Sequence, residues 1–428
     1  MKAKTYLQSL VGSVMLACTL HQPLQANDQV FFVNGSSLTP IHETDIAVQK
    51  EVLTIQIGDD GFAHVVVDYQ FYNTGNAKTV TVGFEAQHPS STDVDYRFQW
   101  GKPHPHIRDF SVVMNGKKLP YNIGCVSRPF EEDSTIAYDP TQFPFLNPAQ
   151  WRTQVESDPP LWDSYADGLS LFNPKTKEYT EYAYVYHFQA HFQPGMNTVR
   201  HTYRYRMSLG VGTAFRIPYW LTPAMNWANH QIDDFTLRIV ANNTTKHFFV
   251  YNDALPTNAF RIVGGQGKMR TITVQSRDYI THPHATEQVT EVVLRNATLE
   301  WHALQYHTDA DLEINSADDL RYMDNNPERE SMLYYDSGNT YCMFGWYIRY
   351  DKLYTGPDNE ALKQAFTARI RRNLPYAHRG YVFKDKELRS IFEKQWWYMP
   401  DPTWKPQKNT FSSHEQQLIN NSDKFDTW

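Results

Sequence analysis

The sequence predicts a mainly β protein: an antiparallel β-sandwich region, as one sandwich or two, followed by a small α-helical domain at the C-terminus. Three observations predict it. From Val48 onward apolar and polar residues alternate along short runs, the period of a strand with one buried face. Glycine, asparagine and aspartate punctuate those runs roughly every ten residues, as they do in antiparallel sheets. Beyond Pro357 the apolar spacing lengthens to every fourth residue, which is helical. Aromatic residues make up 14% of the 428-residue chain and charged residues only 20%, a composition that suits sheets.

The N-terminus carries its own signal. Lys2 and Lys4 precede an apolar run from Val11 to Leu20, and Leu24-Gln25-Ala26 offers a small residue for cleavage. This pattern predicts a signal peptide over residues 1–26 and an exported protein of the periplasm or cell surface. Met15-Leu16-Ala17-Cys18 offers a second reading, a lipid anchor at Cys18. No later segment has the ~20 apolar residues that a spanning helix needs. The net charge of −7 and the lack of a basic stripe argue against nucleic acid as a partner.

The expected domains are a β region over 27–350 and a helical domain over 351–428. Leu53, Ile55 and Ile57 share one strand face, followed by a Gly58-Asp59-Asp60-Gly61 turn. Ala63, Val65, Val67 and Tyr69 repeat the period, and Asn73-Thr74-Gly75-Asn76 turns into Val80, Val82 and Phe84. Asn115-Gly116 marks a hairpin within Phe110–Leu119. Residues 126–180 are an insertion, because Pro129, Pro140, Pro144, Pro148, Pro159, Pro160 and Pro174 interrupt it. If the β region holds two sandwiches, they divide near this insertion. Strands resume at Glu181–Phe192 and Asn197–Leu209, then at Phe235–Val240, His247–Tyr251, Met269–Gln275, Glu291–Tyr306 and Tyr341–Tyr350. Gly264-Gly265-Gln266-Gly267 reads as a hairpin turn.

In the tail, Leu362, Phe366 and Ile370 line one helix face, capped by Asp358 or Asn359. Gly380 ends that helix. Asp385 caps a second helix with Leu388, Ile391 and Phe392 on one face, and Ser412-x-x-Glu415 is a capping box for a last one. The residues Asn373, Tyr376, Ala377, Gly380, Tyr381 and Phe383, then Trp397, Tyr398 and Pro400, resemble the YARHG family, a small module of exported bacterial proteins. His378 and Arg379 stand here in inverted order relative to the family's name. Pro375 falls where the family usually has an aliphatic residue, which predicts a kink or restart near Leu374. The resemblance implies a location and no activity, and it makes these positions structural.

Candidate chemistry is sparse. His104-Pro105-His106 and His282-Pro283-His284 each place two imidazoles two residues apart, a spacing that chelates a metal in extended backbone. Asp109 or Glu287 could complete such a set. Solvated loop histidines are the plainer reading. His187 and His191 also share a strand face. Asp309, Asp311 and Glu313 alternate, as calcium ligands or as a charged strand edge. Trp151, Trp162, Tyr219, Trp220 and Trp227 form either a stacking platform for sugar rings or a β core. Cys125 and Cys342 are the cysteines left after signal removal. An oxidising envelope permits a bridge between them, and two buried thiols are the other reading.

The expectation drawn from all this is an exported envelope protein that binds or scaffolds without catalysis and needs no cofactor. Its partner would be a cell-wall or envelope glycan, or another envelope protein. A metal-assisted hydrolase acting on an envelope polymer and a lipid-anchored surface protein are the alternatives.

Overall fold

The computed structural model describes residues 29–31, 35–40, 45–87, 102–129, 170–173, 178–210, 213–255, 259–277, 281–324, 326, 333, 353–407 and 410–421. Within them the alternating runs become strands, and helices cluster after residue 353. The first strands are β1 (Gln29–Phe31), β2 (Gly35–Ser36), β3 (Leu38–Pro40), β4 (Ile46–Ile57), β5 (Phe62–Asn73) and β6 (Lys78–Gln87). Next come β7 (Ile107–Met114), β8 (Lys117–Leu119), β9 (Asn122–Pro129), β10 (Ser170–Asn173), β11 (Glu178–Phe192) and β12 (Gly195–Arg206). The series ends with β13 (Ser208–Gly210), β14 (Thr213–Trp220), β15 (Ile232–Ala241), β16 (Lys246–Tyr251), β17 (Arg261–Gln275), β18 (Thr286–Tyr306) and β19 (Leu312–Ser316).

The expected turns sit where the sequence put them. Gly61 takes a φ of 78° between β4 and β5, and Asn115 and Gly116 take 48° and 79° between β7 and β8. Both are left-handed positions that such residues tolerate.

Two sheets form the β region. The larger runs β1-β13-β14-β19-β16-β18-β15-β4-β5-β12-β7-β8, with β17 beside β18 and β2 beside β14. The smaller runs β10-β11-β6-β3, with β9 also on β11. Pairing is antiparallel except at β4 with β15 and β2 with β14. A division into two sandwiches at the insertion does not occur. β12, which follows the insertion, pairs with β5 and β7, which precede it. The ends of the expected insertion are themselves strands, β9, β10 and the start of β11.

The sandwich closes where the smaller sheet covers β5, β7 and β12. Phe84 of β6 meets Phe110 at 5.3 Å and Tyr203 at 4.6 Å between ring centroids. Phe192 of β11 meets Phe71 edge-on at 5.6 Å. Those offset and edge contacts suit aromatic quadrupoles and fill the wide gap between sheets.

The glycine run is not a turn. β17 continues through Gly264-Gly265-Gln266-Gly267 and stays paired with β18 on both sides of it. The reason lies in β18. It pairs with β16 over Val289–Leu294 and with β15 over Ala297–Tyr306, so it must bend in between. Asn296 does so with a φ of 51°, and its neighbours Gly264 and Gly265 follow with φ of 72° and 30°. A Cβ on Gly265 would collide with the Asn296 carbonyl. Only glycine allows the two backbones to bend together there.

Before that bend, both faces of β18 are buried. Val292 and Leu294 face the sandwich core, while Val289 and Val293 face a second core with Phe249 and Tyr251. The C-terminal helices supply the rest of that second core. They are preceded by a short helix, α1 (Leu320–Met323), and comprise α2 (Glu360–Ala377), α3 (Lys386–Glu393) and α4 (Ser413–Asn420). Asn359, Asp385 and Ser412 accept the N-terminal amides of α2, α3 and α4 as the sequence predicts, the last in a capping box. Helix α2 runs unbroken through Pro375, so no restart occurs at Leu374. Leu362 is exposed rather than buried on the α2 face, where Ile370 is fully covered. The strand expected at Tyr341–Tyr350 lies outside the described residues.

Candidate functional site

Two constellations stand out, and the sequence had named only one. The first sits in the sandwich core. Along β4 the inward face runs Leu53, Ile55 and Ile57, and one step back in that phase is Glu51. A register shift between Val48 and Lys50 resets the alternation and turns Glu51 inward. It is fully buried, and neither carboxyl oxygen has a hydrogen-bond partner among the described residues. Burial pushes its pKa up to about 8, against the weaker pull of the neighbouring Ser37 and Tyr69 hydroxyls.

Tyrosines surround it. Tyr69 is its cross-strand partner on β5, and Tyr203 and Tyr205 project inward from β12 with Tyr219 from β14. Burial drives all four phenols well above their ordinary range, so they are neutral. The hydroxyls of Tyr69, Tyr203 and Tyr219 hold the segment Gly35–Pro40, while that of Tyr205 donates to the Pro218 carbonyl. The Ser36 amide donates to Tyr203 Oη at 3.3 Å and the Leu38 amide to Tyr69 Oη at 3.1 Å. Trp227 Nε1 donates to the Leu38 carbonyl at 2.9 Å. Gly35–Ser36 also pairs with Tyr219–Trp220 in the larger sheet, and Leu38–Pro40 with Val82–Phe84 in the smaller. The segment thus straps the two sheets together across the tyrosines.

His201 lies beside this cluster, fully buried with both ring nitrogens unpartnered among the described residues. It is ringed by Tyr69, Phe84 and Tyr203. Burial lowers its pKa to about 3, so it is a neutral imidazole. Glu51 and His201 were legible in principle. Each is a polar residue in the inward phase of an alternating strand.

The second constellation is the tail motif. His378 is buried, stacked on Trp397 at 4.2 Å, with Nδ1 donating to the Thr245 carbonyl at 3.3 Å. Its pKa falls to about 3, chiefly through burial. Arg379 makes a buried two-point bond to Glu415, at 2.6 and 2.9 Å, and also donates to the Pro375 carbonyl. Asn373 Nδ2 donates back to the Arg369 carbonyl, and Tyr376 packs on Phe411. Ala377 is fully buried, and Phe383 stacks on Phe392. Tyr398 donates to the Tyr381 carbonyl at 2.6 Å. Gly380, at a φ of 84°, lets the Arg295 guanidinium of β18 pass within 2.5 Å of where a Cβ would sit. Arg295 then reaches the Met399 carbonyl at 2.6 Å, and Lys268 of β17 reaches the Trp396 carbonyl at 2.9 Å. Beneath Trp396, Glu291 accepts from His247 and Arg270, both at 2.7 Å. Within the motif, His378 and Gly380 serve the junction with the sheet, while Arg379, Asn373, Tyr376, Phe383 and Tyr398 tie the helical domain to itself.

Residues 346–427 form a YARHG domain. A second family model, for a domain of unknown function (DUF4424), matches residues 26–216. No curated protein matches the sequence. Among solved structures, a Legionella pneumophila protein described provisionally as nutrient binding is 17% identical, with 92% of this chain and 100% of that one covered and a TM-score of 0.48. A zinc metallopeptidase from Deinococcus radiodurans is 9% identical over 60% of this chain and 42% of its own, with a TM-score of 0.21. YARHG domains are typical of exported proteins. Among the described residues, no helix is long and apolar enough to cross a membrane.

The other residues singled out in the sequence lie apart from the YARHG fastening. His104 Nδ1 accepts the His106 amide at 3.1 Å, and the His104 amide donates to Tyr186 Oη at 2.8 Å. His106 is held down to about 4 by burial, with Arg206 and Arg108 adding to the effect. That turn makes the pair an anchor for the start of β7. His282 and His284 are exposed. No group of three or more metal-ligating side chains occurs among the described residues. Tyr219 and Trp227 are fully buried and Trp220 partly so, which turns the first two into core. Trp151 and Trp162 lie outside the described residues, as does Cys342. Cys125 lies on β9, opposite Tyr184 of β11. Asp311 accepts the Leu221 and Thr222 amides, and Glu313 pairs with Arg277. Those two carboxylates are thereby committed to the sheet's own ends.

Proposed function

We propose that this chain is an exported protein of the bacterial envelope that binds or scaffolds without catalysing a reaction. One observation carries the reading. The chemically able residues of the YARHG motif are spent on packing: His378 on Trp397 and on Thr245 just before β16, and Arg379 on Glu415 of α4. The domain acts as a clamp that stiffens the β region, and the β region presents the binding surface. The signal-like N-terminus supports export, and the YARHG match supports the same location. The expected partners are a cell-wall or envelope glycan, or another envelope protein.

The test is co-sedimentation of the purified processed protein with peptidoglycan, with outer-membrane vesicles and with solubilised envelope proteins. Salt-resistant retention on one of these fractions is expected. Passage through all three without retention overturns the reading.

A further inference from the structure

The strap over the tyrosine cluster has a feature that an ordinary edge strand lacks: its seat contains a fully buried carboxyl whose described neighbours are hydroxyls and not cations. We propose that Gly35–Pro40 is a proton-gated strap, seated while the Glu51 carboxyl is neutral and released when that carboxyl ionises.

The seat explains why a proton controls it. Ser37 from the strap, Tyr69 from β5, Tyr203 from β12, Tyr219 from β14 and Tyr306 from β18 are the titratable or hydroxyl groups that act on Glu51. The remaining contact across the sheet is the Phe235 position of β15. None of these groups is a cation. A carboxylate formed here has no counter-charge among these groups, and a buried charge without one is strongly unfavourable. Burial holds the proton on until about pH 8, within reach of the pH range an envelope protein meets.

Relief requires that solvent reach the carboxyl, and the strap, whose Ser37 lies against it, is a short element placed to admit solvent by leaving. Its grip is short. Gly35–Ser36 and Leu38–Pro40 are the paired stretches, and the Tyr203, Tyr69 and Trp227 bonds add to them. Release would uncover the β6 edge, where Val82–Phe84 pair with the strap. An uncovered edge is a site for strand addition.

Hydrogen–deuterium exchange of the full processed chain tests this, with rates corrected for intrinsic base catalysis. In the native protein, protection of the Ser36 and Leu38 amides should fall by about tenfold per pH unit between pH 6 and 8, the signature of one proton lost on opening. Amides of β18 should keep their protection. Glu51→Gln should hold the strap protected and remove the pH dependence. Gly35→Ala places a Cβ 2.6 Å from Tyr203 Oη and 3.0 Å from the Tyr219 ring, so it should free the strap at pH 6 with β18 still protected. Strap protection that is flat from pH 6 to 8, or that falls only together with β18, overturns the proposal. So does a Glu51→Gln strap that still loosens with pH, or a Gly35→Ala strap that stays protected.

Discussion

Replacing Arg379 by methionine removes the charge at the centre of the YARHG fastening. Three hydrogen bonds go: two to Glu415 and one to the Pro375 carbonyl. The contact of its guanidinium with the Phe411 ring, 5.0 Å away, goes too. Glu415 stays buried and keeps the Ser412 amide, at 2.7 Å, while losing the guanidinium. Breaking a buried pair by removing one member costs about 3–5 kcal/mol, because the other charge is stranded. Glu415→Met strands the guanidinium instead, also at about 3–5 kcal/mol. Combining Arg379→Met with Glu415→Met strands nothing, leaving loss of the capping box at about 1 kcal/mol and some repacking. The double-mutant coupling should therefore be at least about 3 kcal/mol, far outside the additivity expected of independent sites. Urea titration followed by far-ultraviolet circular dichroism and tryptophan fluorescence measures each corner of the cycle. A coupling below about 0.5 kcal/mol would show that the pair is ornamental and that apolar packing alone holds the domain.

Three other outcomes are expected. His201→Leu removes a buried imidazole whose pKa lies near 3 in the fold. A base with a depressed pKa is stabilising above the ordinary histidine range and loses that contribution as pH falls, so the variant should gain about 1.4 kcal/mol on the native protein per pH unit below 6.5. Thermal melts at pH 7 and 5 check this, and equal shifts at both would refute it. Gly265→Ala should cost ~2–4 kcal/mol in chemical denaturation, since its Cβ meets the Asn296 backbone at the bend of β18. Asn359→Ala should cost about 1 kcal/mol by loss of the α2 cap, seen as faster exchange of the Leu362 amide.

The fold was largely legible because its cues are local. Period-two alternation placed β4, β5 and β12, and capping residues placed the starts of α2, α3 and α4. What was not legible depended on distant partners. The bend at Gly264-Gly265 answers to Asn296 in another strand, so a local reading took it for a turn. The joining of β5 and β7 to β12 across the insertion is likewise a long-range fact. In the candidate site, the YARHG residues were legible as packing from their spacing. Glu51 was overlooked for a different reason. It shares the phase of Leu53, Ile55 and Ile57, but the earlier phase of Ile46 and Val48, offset by a register shift, puts it on the opposite side when the strand is read from its start.

The doubly covered stretch of β18 bears on what the C-terminal domain is. Ile370, Leu374, Phe392 and Trp397 complete a core whose other wall is Phe249, Val289 and Val293 of the sheet. A YARHG tail excised from this chain would carry away half of an interior and show it to water. Such a module travels between proteins only with a socket, so a host must offer it a sheet with a second apolar side.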